Sequence, residues 1–359
     1  MPDRVYLDWN ATAPLRPEAR DAMIAAMDAI GNPSSVHAEG RRAKAIVERA
    51  RAQVAELVDC RPNEVVFTSG ATEAAALAAQ TRSLSCTDME HDCVLAHQTH
   101  QIAVNALGEP QIDQIEGDIL ALQGANSETG HLNHNIHWAQ VAWGQGKMVL
   151  VDAVQLAGRF GTGVDILGAD YMLMSAHKMG GPKGVGALCL KLGLDLPAMI
   201  PGGGQEQGRR SGTENVVGIA GFGAAAEAAG RDLQAGLWDQ VAELRKILEK
   251  GIAAASNQTI FVGNDAPRLP NTSCFITPGW KGETQVMAMD LAGFAISAGS
   301  ACSSGKVKES RVLRALGYSP QEARSAVRVS LGPTTTQEEI ERFVDAWGAA
   351  YRKFRARAA

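Results

Sequence analysis

The stretch YMLMSAHKMGGPKGVGALCLK, residues 171–191, contains the pattern that decides the fold. Its two apolar runs, at 171–176 and 185–191, enclose a glycine-rich loop that carries Lys178. A similar run, KMVLVDA, stands at 147–153. Short uninterrupted apolar runs are typical of parallel strands that are buried on both faces of a sheet. We therefore predict a buried parallel strand at each of the three runs.

Segments of helical character alternate with these strands. Alanine-rich sequence and apolar residues at helical spacing predict helices in the C-terminal stretch that begins TTTQEEIERF and at 16–31, 41–58, 71–80 and 237–252. A short strand is predicted at 64–70. This alternation predicts an α/β domain with a mainly parallel sheet. The two prolines of APRLPNTSCFIT, residues 266–277, indicate a domain boundary near residue 260.

Composition excludes some classes of partner. The chain has 359 residues, is 45% hydrophobic and carries a net charge of −5. This mildly acidic balance provides no electrostatic basis for binding nucleic acid or an anionic membrane. No apolar run reaches membrane-spanning length, and the charged N-terminal stretch MPDRVYLDWN is unlike a signal peptide. We therefore predict a cytoplasmic protein with no nucleic-acid and no membrane partner.

The six cysteines are scattered, and no two of them form a C-x-x-C pair. Because the His, Cys and carboxylate spacings match no metal site, we predict no metal, and a cytosolic chain of this length is not expected to contain a disulfide framework. Five cysteines are predicted to be small buried side chains. Cys302 differs, because it lies in SAGSACSSGK, 297–306, among small residues that pack no core.

Several residues point to pyridoxal-phosphate chemistry. Lys178 has methionine and leucine neighbours, and partial burial would lower the pKa of its amine, as a lysine that forms a Schiff base requires. Asp152 ends an apolar strand, where ligands of α/β sheets bind, although helix capping is an alternative role. Gln155 could reach the same ligand. SGATE, 69–73, places small residues at a strand-to-helix turn suited to phosphate, whereas a lone histidine such as His91 is more often structural.

Nine motifs resemble, in order and nearly end to end, those of pyridoxal-phosphate-dependent cysteine desulfurases of the NifS/IscS type, within the class V aminotransferase family. They are YLDWNATAPL, GNPSSVHAEGR, VFTSGATE, EHDCVL, VDAVQ, SAHKMGGPKGVGAL, GGGQEQGRRSGT, SAGSACSS and RVSLG. The resemblance implies a fold-type-I transferase whose large domain, 13–258, contains the mainly parallel sheet. Residues 1–12 and 259–359 would form a smaller α/β domain that carries the catalytic cysteine loop.

The resemblance implies the cofactor pyridoxal 5′-phosphate and assigns residues to it. Lys178 matches the lysine that binds it covalently, His91 the histidine that stacks on its ring, and Asp152 the partner of its pyridine nitrogen. Gln155 matches the residue near its phenolic oxygen. Phosphate binding is implied for Ala71, Thr72, Ser175 and His177 and, across the interface of a homodimer, for Thr213.

One cofactor position departs from the family pattern. The family motif NNE[T/I]G stands here as NSETG, 126–130. Ser127 therefore replaces an asparagine that touches the cofactor and the substrate. Serine is shorter and has a single donor, for which Asn126 could partly compensate.

The resemblance also implies the reaction. Arg328 matches the arginine that holds the substrate carboxylate, and Asn10 is assigned to substrate binding as well. Cys302, on a mobile loop, matches the nucleophile that attacks the sulfur of L-cysteine, with Lys178 and His91 as the other catalytic residues. The products are L-alanine and a persulfide for a protein sulfur acceptor, in iron–sulfur cluster assembly or related sulfur trafficking. Alternatives are a selenocysteine lyase, another class V lyase or transaminase, and a weakly active sulfur-carrier partner.

Overall fold

A computed structural model of the chain describes residues 4–299 and 309–358. Its strands are β1 Val5–Tyr6, β2 Val65–Thr68, β3 Leu84–Thr87, β4 Gln98–Ile102, β5 Ile119–Gln123, β6 Met148–Asp152, β7 Tyr171–Ser175, β8 Gly186–Leu190, β9 Ile260–Phe261, β10 Thr272–Ile276, β11 Phe294–Ala295, β12 Ser297–Ala298 and β13 Ala326–Ser330. Its α-helices are α1 Pro17–Met27, α2 Ala38–Leu57, α3 Ala71–Ala79, α4 Asp92–Leu95, α5 Asn135–Gly144, α6 Val164–Leu167, α7 Val216–Gln234, α8 Leu237–Ala255, α9 Gly282–Leu291, α10 Arg311–Ala315, α11 Pro320–Arg324 and α12 Gln337–Ala358. Every helix and strand predicted above is present, with ends shifted by a few residues.

The central sheet has seven strands in the order β2-β8-β7-β6-β5-β3-β4. The five strands from β7 to β4 run parallel, as predicted. β8 runs antiparallel to both of its neighbours, so the prediction of a parallel strand at 185–191 is wrong in direction. The reason is the connection from β7: the loop 176–185 contains only a 3-10 turn and no crossover helix, so the chain returns beside β7 with Ser175 opposite Gly186.

The apolar strands are buried on both faces of this sheet. On β7, Met172 and Met174 pack into a core that includes residues of α1, α2 and α7. Tyr171 and Leu173 point to the opposite face and pack with residues of α3. Helices therefore cover both faces of the sheet. A ligand is expected at the carboxyl ends of the parallel strands, where ligands of open α/β sheets bind.

A second core lies beside the central sheet. There β9, β10, β12 and β13 form an antiparallel sheet in the order β12-β13-β10-β9, and β1 pairs in parallel with β11. Helices α8 and α12 contribute Trp238 and Trp347 to this core. The division into a domain of 13–258 and one of 1–12 with 259–359 stays a prediction. Within the two described ranges, no helix has the length and apolar character needed to cross a membrane.

Candidate active site

A cavity of about 670 Å³ lies at the carboxyl ends of β6 and β7, with Arg328 of β13 in its wall. Asp152 is the last residue of β6, Ser175 is the last residue of β7, and Lys178 ends the 3-10 turn that follows β7. Most of the predicted site residues line this one cavity: Asn10, Ala71, Thr72, His91, Ser127, Asp152, Gln155, Ser175, His177, Lys178 and Arg328.

Lys178 directs its amine at the N-terminal segment. Its Nζ donates to the carbonyl oxygens of Asn10 and Ala11, at 2.7 and 2.9 Å. The chain turns tightly after the lysine at Gly180, whose φ of +91° favours glycine and whose Cβ would stand 2.5 Å from the Arg16 side chain. The turn leaves a primary amine in the cavity wall, where it can form a Schiff base with a carbonyl ligand.

Asp152 and His91 lie in the same wall. Burial raises the pKa of Asp152 above its usual value, an effect that nearby His91 and Lys178 and the N–H of Val154, which donates to Oδ1 at 2.9 Å, offset only in part. Burial, and secondly Asp152, raise the pKa of the adjacent Glu90 carboxyl well above its usual range. Of the two carboxyls, Asp152 is therefore the better placed to hold a negative charge.

The N-terminus of α3 forms one end of the cavity. Gly70, its N-cap, has no side chain, and Ala71 and Thr72 line the cavity with it. The first amides of a helix have no partner within the helix, and their partial positive charge favours an anion. Ser175 lies in the same wall. This end of the cavity is suited to a phosphate group.

His177 is neutral at physiological pH. Burial first, and then the charge of Lys178, lower the pKa of His177 to about 4. Its Nδ1 lies 3.2 Å from Oγ1 of Thr12. The side chain therefore acts as a hydrogen-bonding group rather than as a cation.

Arg328 is 3% exposed, and each of its two terminal nitrogens has a protein partner. Its Nη1 donates to the carbonyl oxygen of Ser127 at 3.0 Å, and its Nη2 to Oδ1 of Asp8 at 2.7 Å. Within the described part of the chain its Nε has no hydrogen-bond partner. The guanidinium thus retains donors for a carboxylate, which guanidinium groups bind through two parallel hydrogen bonds.

The Asn10 side chain is fully occupied by protein partners. Its Nδ2 donates to Ser127 O and Thr272 Oγ1, at 3.0 and 2.9 Å. Its Oδ1 accepts from Arg159 Nη1 and Asn271 Nδ2, at 2.7 and 3.0 Å. The amide therefore holds the cavity wall together, and direct binding of substrate by Asn10 stays a prediction.

Asn126 does not line this cavity. Its Nδ2 donates to Met89 O and Gln123 Oε1, and its Oδ1 accepts from the backbone amides of Glu128 and Thr129. The amide shapes the loop that follows β5. It lines a smaller cavity of about 210 Å³ that shares His91, Ser127 and Arg328 with the larger one, and its compensation for the shorter side chain at position 127 stays a prediction.

Two further predicted residues lie elsewhere. Thr213 lines a neighbouring cavity of about 220 Å³, which shares Ser69 and Gly184 with the larger one. Cys302 lies outside the described residues. Their roles stay predictions.

The structure also shows site residues that the sequence analysis missed. Gln123, Cys93 and Lys183 line the cavity. Arg159 is buried behind it and contacts Asn10. In the sequence nothing distinguishes this arginine from a surface arginine, because its partners are neutral and only Gln155 is close to it in the chain. In the described ranges, no group of three or more His, Cys, Asp or Glu side chains is arranged to hold a metal ion.

Fold and cavity together define an α/β enzyme that presents a lysine amine, a buried carboxylate and a helix N-terminus to one ligand. The chain belongs to the aminotransferase class V family, which matches residues 5–343. A cysteine desulfurase of Cereibacter sphaeroides is 39% identical over 375 residues, 96% of this chain and 94% of that protein. The cysteine desulfurase IscS of Dictyoglomus turgidum is 32% identical, over 99% and 96% of the two chains. A solved NifS-like protein from Rickettsia africae superposes with a TM-score of 0.90 at 30% identity, over 97% and 99%. The predicted family and fold are confirmed.

Proposed function

We propose that the chain is a pyridoxal-phosphate-dependent cysteine desulfurase, which converts L-cysteine to L-alanine and retains the sulfur as a persulfide on Cys302. The observation that carries the proposal is that Lys178, Asp152 and His91 share one cavity with Arg328. Relatives named cysteine desulfurase, which match nearly the whole chain, support the same activity.

The residues of the cavity fit pyridoxal phosphate, the cofactor of this family. The Lys178 amine suits its aldehyde, the buried Asp152 carboxylate suits its pyridine nitrogen, and the α3 N-terminus at Ala71 and Thr72 suits its phosphate. The cavity volume lies within the range of about 300–1,000 Å³ that is usual for cofactor and ligand pockets. When bound, the cofactor supplies an electron sink for the pair released at the substrate α-carbon.

The protein side chains then hold and move protons. Asp152, once ionised, keeps a proton on the pyridine nitrogen. The Lys178 amine is assigned as the base that takes the α-proton of the substrate, because it lies in the same cavity wall as Asp152, His91 and Arg328. Arg328 orients the substrate by its carboxylate through the donors that Ser127 and Asp8 leave unused.

Sulfur transfer is assigned to the Cys302 thiolate. Its Sγ forms a bond with the substrate sulfur, the bond from that sulfur to the β-carbon breaks, and the β-carbon keeps the electron pair and gains a proton. The β-carbon is reduced and the Cys302 sulfur is oxidised. L-alanine and the persulfide therefore form without an external oxidant or reductant.

The two described residues that flank the cysteine segment in the sequence support this step. Gly299 and Glu309, on either side of the segment 300–308, line an adjoining cavity of about 210 Å³. This cavity shares His91 and Arg328 with the larger one. Both flanking residues thus line a cavity that adjoins the place where the substrate carboxylate would bind.

The proposed partners are a second copy of this chain and a protein that accepts the sulfur. Thr213 lines a cavity beside its own site rather than the site itself, which supports a role at the cofactor phosphate of the neighbouring subunit. A cytoplasmic location is part of the same proposal.

The test measures alanine and sulfide released from L-cysteine in the presence of a reductant. Wild type is compared with C302A, and C60A serves as the matched control because Cys60 is a half-buried thiol that does not line the cavity. We expect equal amounts of alanine and sulfide from wild type and C60A. C302A should lose both products and keep the visible absorbance of the bound cofactor.

Two results would contradict the proposal. If C302A formed alanine at the wild-type rate, the persulfide step would be wrong and a class V lyase or transaminase would be the better assignment. If the wild-type protein stayed colourless with added cofactor, a sulfur-carrier or binding role would replace the enzyme.

A further inference from the structure

Arg159 is a buried cation directly behind the wall of the site. It is 2% exposed and is not among the residues that line the cavity. Its guanidinium makes four hydrogen bonds, to Asn10 Oδ1 at 2.7 Å, Gln155 Oε1 at 2.5 Å, Trp9 O at 3.2 Å and Lys178 O at 2.9 Å. Three of these acceptors belong to residues that line the cavity, so the arginine joins separate parts of its wall.

The four acceptors are all neutral. Among the described residues, no Asp or Glu lies within ion-pair distance of Arg159, whereas Arg51 and Arg328, which are equally buried, each have a carboxylate partner. Burial, and secondly the charge of Arg328, lower the pKa of Arg159 to about 9, so it stays charged at neutral pH. A buried charge without a counter-ion is unfavourable unless a bound anion compensates for it.

The arginine also decides which way the Gln155 amide points. Arginine has donors only, so the atom of Gln155 that faces Arg159 must be the oxygen. The nitrogen is then on the other side, where Nε2 donates to Asn10 O at 3.1 Å and has a second N–H to offer. Because Gln155 lines the cavity, that N–H is available to an acceptor on a ligand.

The same network holds the lysine amine. Asn10 O accepts from both Gln155 Nε2 and Lys178 Nζ, and the Asn10 side chain accepts from Arg159. Arg159 also donates to the backbone of Lys178. A single guanidinium thus fixes the positions of the amine and of the amide donor relative to each other.

We infer that Arg159 is a positioning residue that fixes the Gln155 amide with its N–H toward the cavity and places a positive charge behind it, so that an anionic phenolic oxygen of the ligand is stabilised. The inference rests on the proposed function for the identity of that ligand. It assigns Arg159 no contact with the cofactor or the substrate.

The test compares R159Q and R159K with R268Q and R268K. Arg268 is the matched control, because its side chain is 7% exposed and pairs with Glu249 away from the cavity. Two quantities are measured with pyridoxal phosphate: its dissociation constant, and the pH midpoint of the visible absorbance of the loaded protein. Melting of the cofactor-free proteins reports on the general loss of stability.

We expect R159Q to weaken cofactor binding about tenfold, because the Gln155 N–H is no longer held toward the anionic oxygen and that hydrogen bond to a charged group is lost. We also expect its spectral midpoint to move to higher pH, because the nitrogen that joins Lys178 to the cofactor loses a positive neighbour. R159K should restore the midpoint, since it keeps the charge, and should bind the cofactor more weakly than wild type. Both Arg268 variants should match wild type in both quantities, whatever their melting temperatures.

An R159Q midpoint equal to that of wild type would overturn the inference while leaving the desulfurase proposal intact. If R159Q does not fold, R159K decides by its cofactor affinity, and a wild-type value would again overturn the inference. A wild-type protein that binds cofactor normally but releases no alanine from L-cysteine would instead refute the desulfurase proposal alone. A wild-type protein that binds no cofactor would overturn both.

Discussion

Substitution of Arg328 by lysine tests the substrate end of the site. The guanidinium is held by Ser127 O and Asp8 Oδ1, and its Nε has no partner in the described part of the chain. A carboxylate can therefore bind to two N–H groups that are already in place. Lysine keeps the charge but has a single nitrogen, so R328K cannot reproduce the two parallel hydrogen bonds of a guanidinium.

The magnitude follows from the lost contact. A hydrogen bond to a charged group contributes about 1.5–3 kcal/mol, which corresponds to a fall of roughly 10- to 150-fold in kcat/KM for L-cysteine. In R328K, the buried carbonyl of Ser127 or the carboxylate of Asp8 also loses its hydrogen-bond donor. This additional cost means that kcat/KM should fall by at least about tenfold. Cofactor binding should stay normal, because Arg328 is assigned to the substrate.

The assay uses two substrates. L-cysteine is compared with cysteamine, which has the same amine and thiol but no carboxylate. R328K should lower kcat/KM for L-cysteine and leave the slow turnover of cysteamine within about twofold of wild type. R268K, at a buried arginine away from the cavity, should affect neither substrate. An equal loss on both substrates would show that Arg328 supports the fold of the site and does not bind the carboxylate.

Two predictions concern stability. Glu206 forms a buried bidentate pair with Arg51, from which it accepts at 2.7 and 2.8 Å, and it also accepts from the Phe67 amide at 2.8 Å. E206Q breaks this pair, so the free energy of unfolding in urea should fall by about 3 kcal/mol. A loss below about 1 kcal/mol would contradict this prediction. His177, whose pKa falls from 6.5 in the unfolded chain to about 4 in the fold, takes up a proton more readily when unfolded. The fold should therefore lose stability as the pH falls from 6.5 to about 4. In the cofactor-free protein, the melting temperature of H177Q should fall less over this pH range than that of wild type. Identical pH profiles for the two proteins would refute the prediction.

The strands of the central sheet were predictable because burial on both faces leaves a local signature. β6 and β7 are apolar up to their last residue, and each apolar residue of β7 packs into one of the two cores. The direction of β8 was not predictable from its composition. A strand buried on both faces has the same apolar sequence in either direction, and only the absence of a crossover helix between β7 and β8 decides it.

Many site residues were predictable because each follows a recognisable local pattern. Asp152 ends an apolar strand, Lys178 follows one, and Ala71 and Thr72 begin a helix after a glycine. Each of these positions depends on neighbours close in sequence. Asn126 also lies in a recognisable motif, but its side-chain amide bonds to Met89 and to the backbone of its own loop. The sequence motif alone did not predict these partners.

The connecting residues were not predictable, because most of their partners come from distant parts of the chain and are neutral. Arg159 binds Asn10, 149 positions away, and Asn10 also binds Asn271, 261 positions away. Charge patterning cannot identify such an arginine, since it has no acidic partner in the described part of the chain. Its burial without a carboxylate becomes informative only when the cavity beside it is known. The residues that a ligand would touch can thus be predicted from local sequence. The residues that position them are recognised only from contacts between distant parts of the chain.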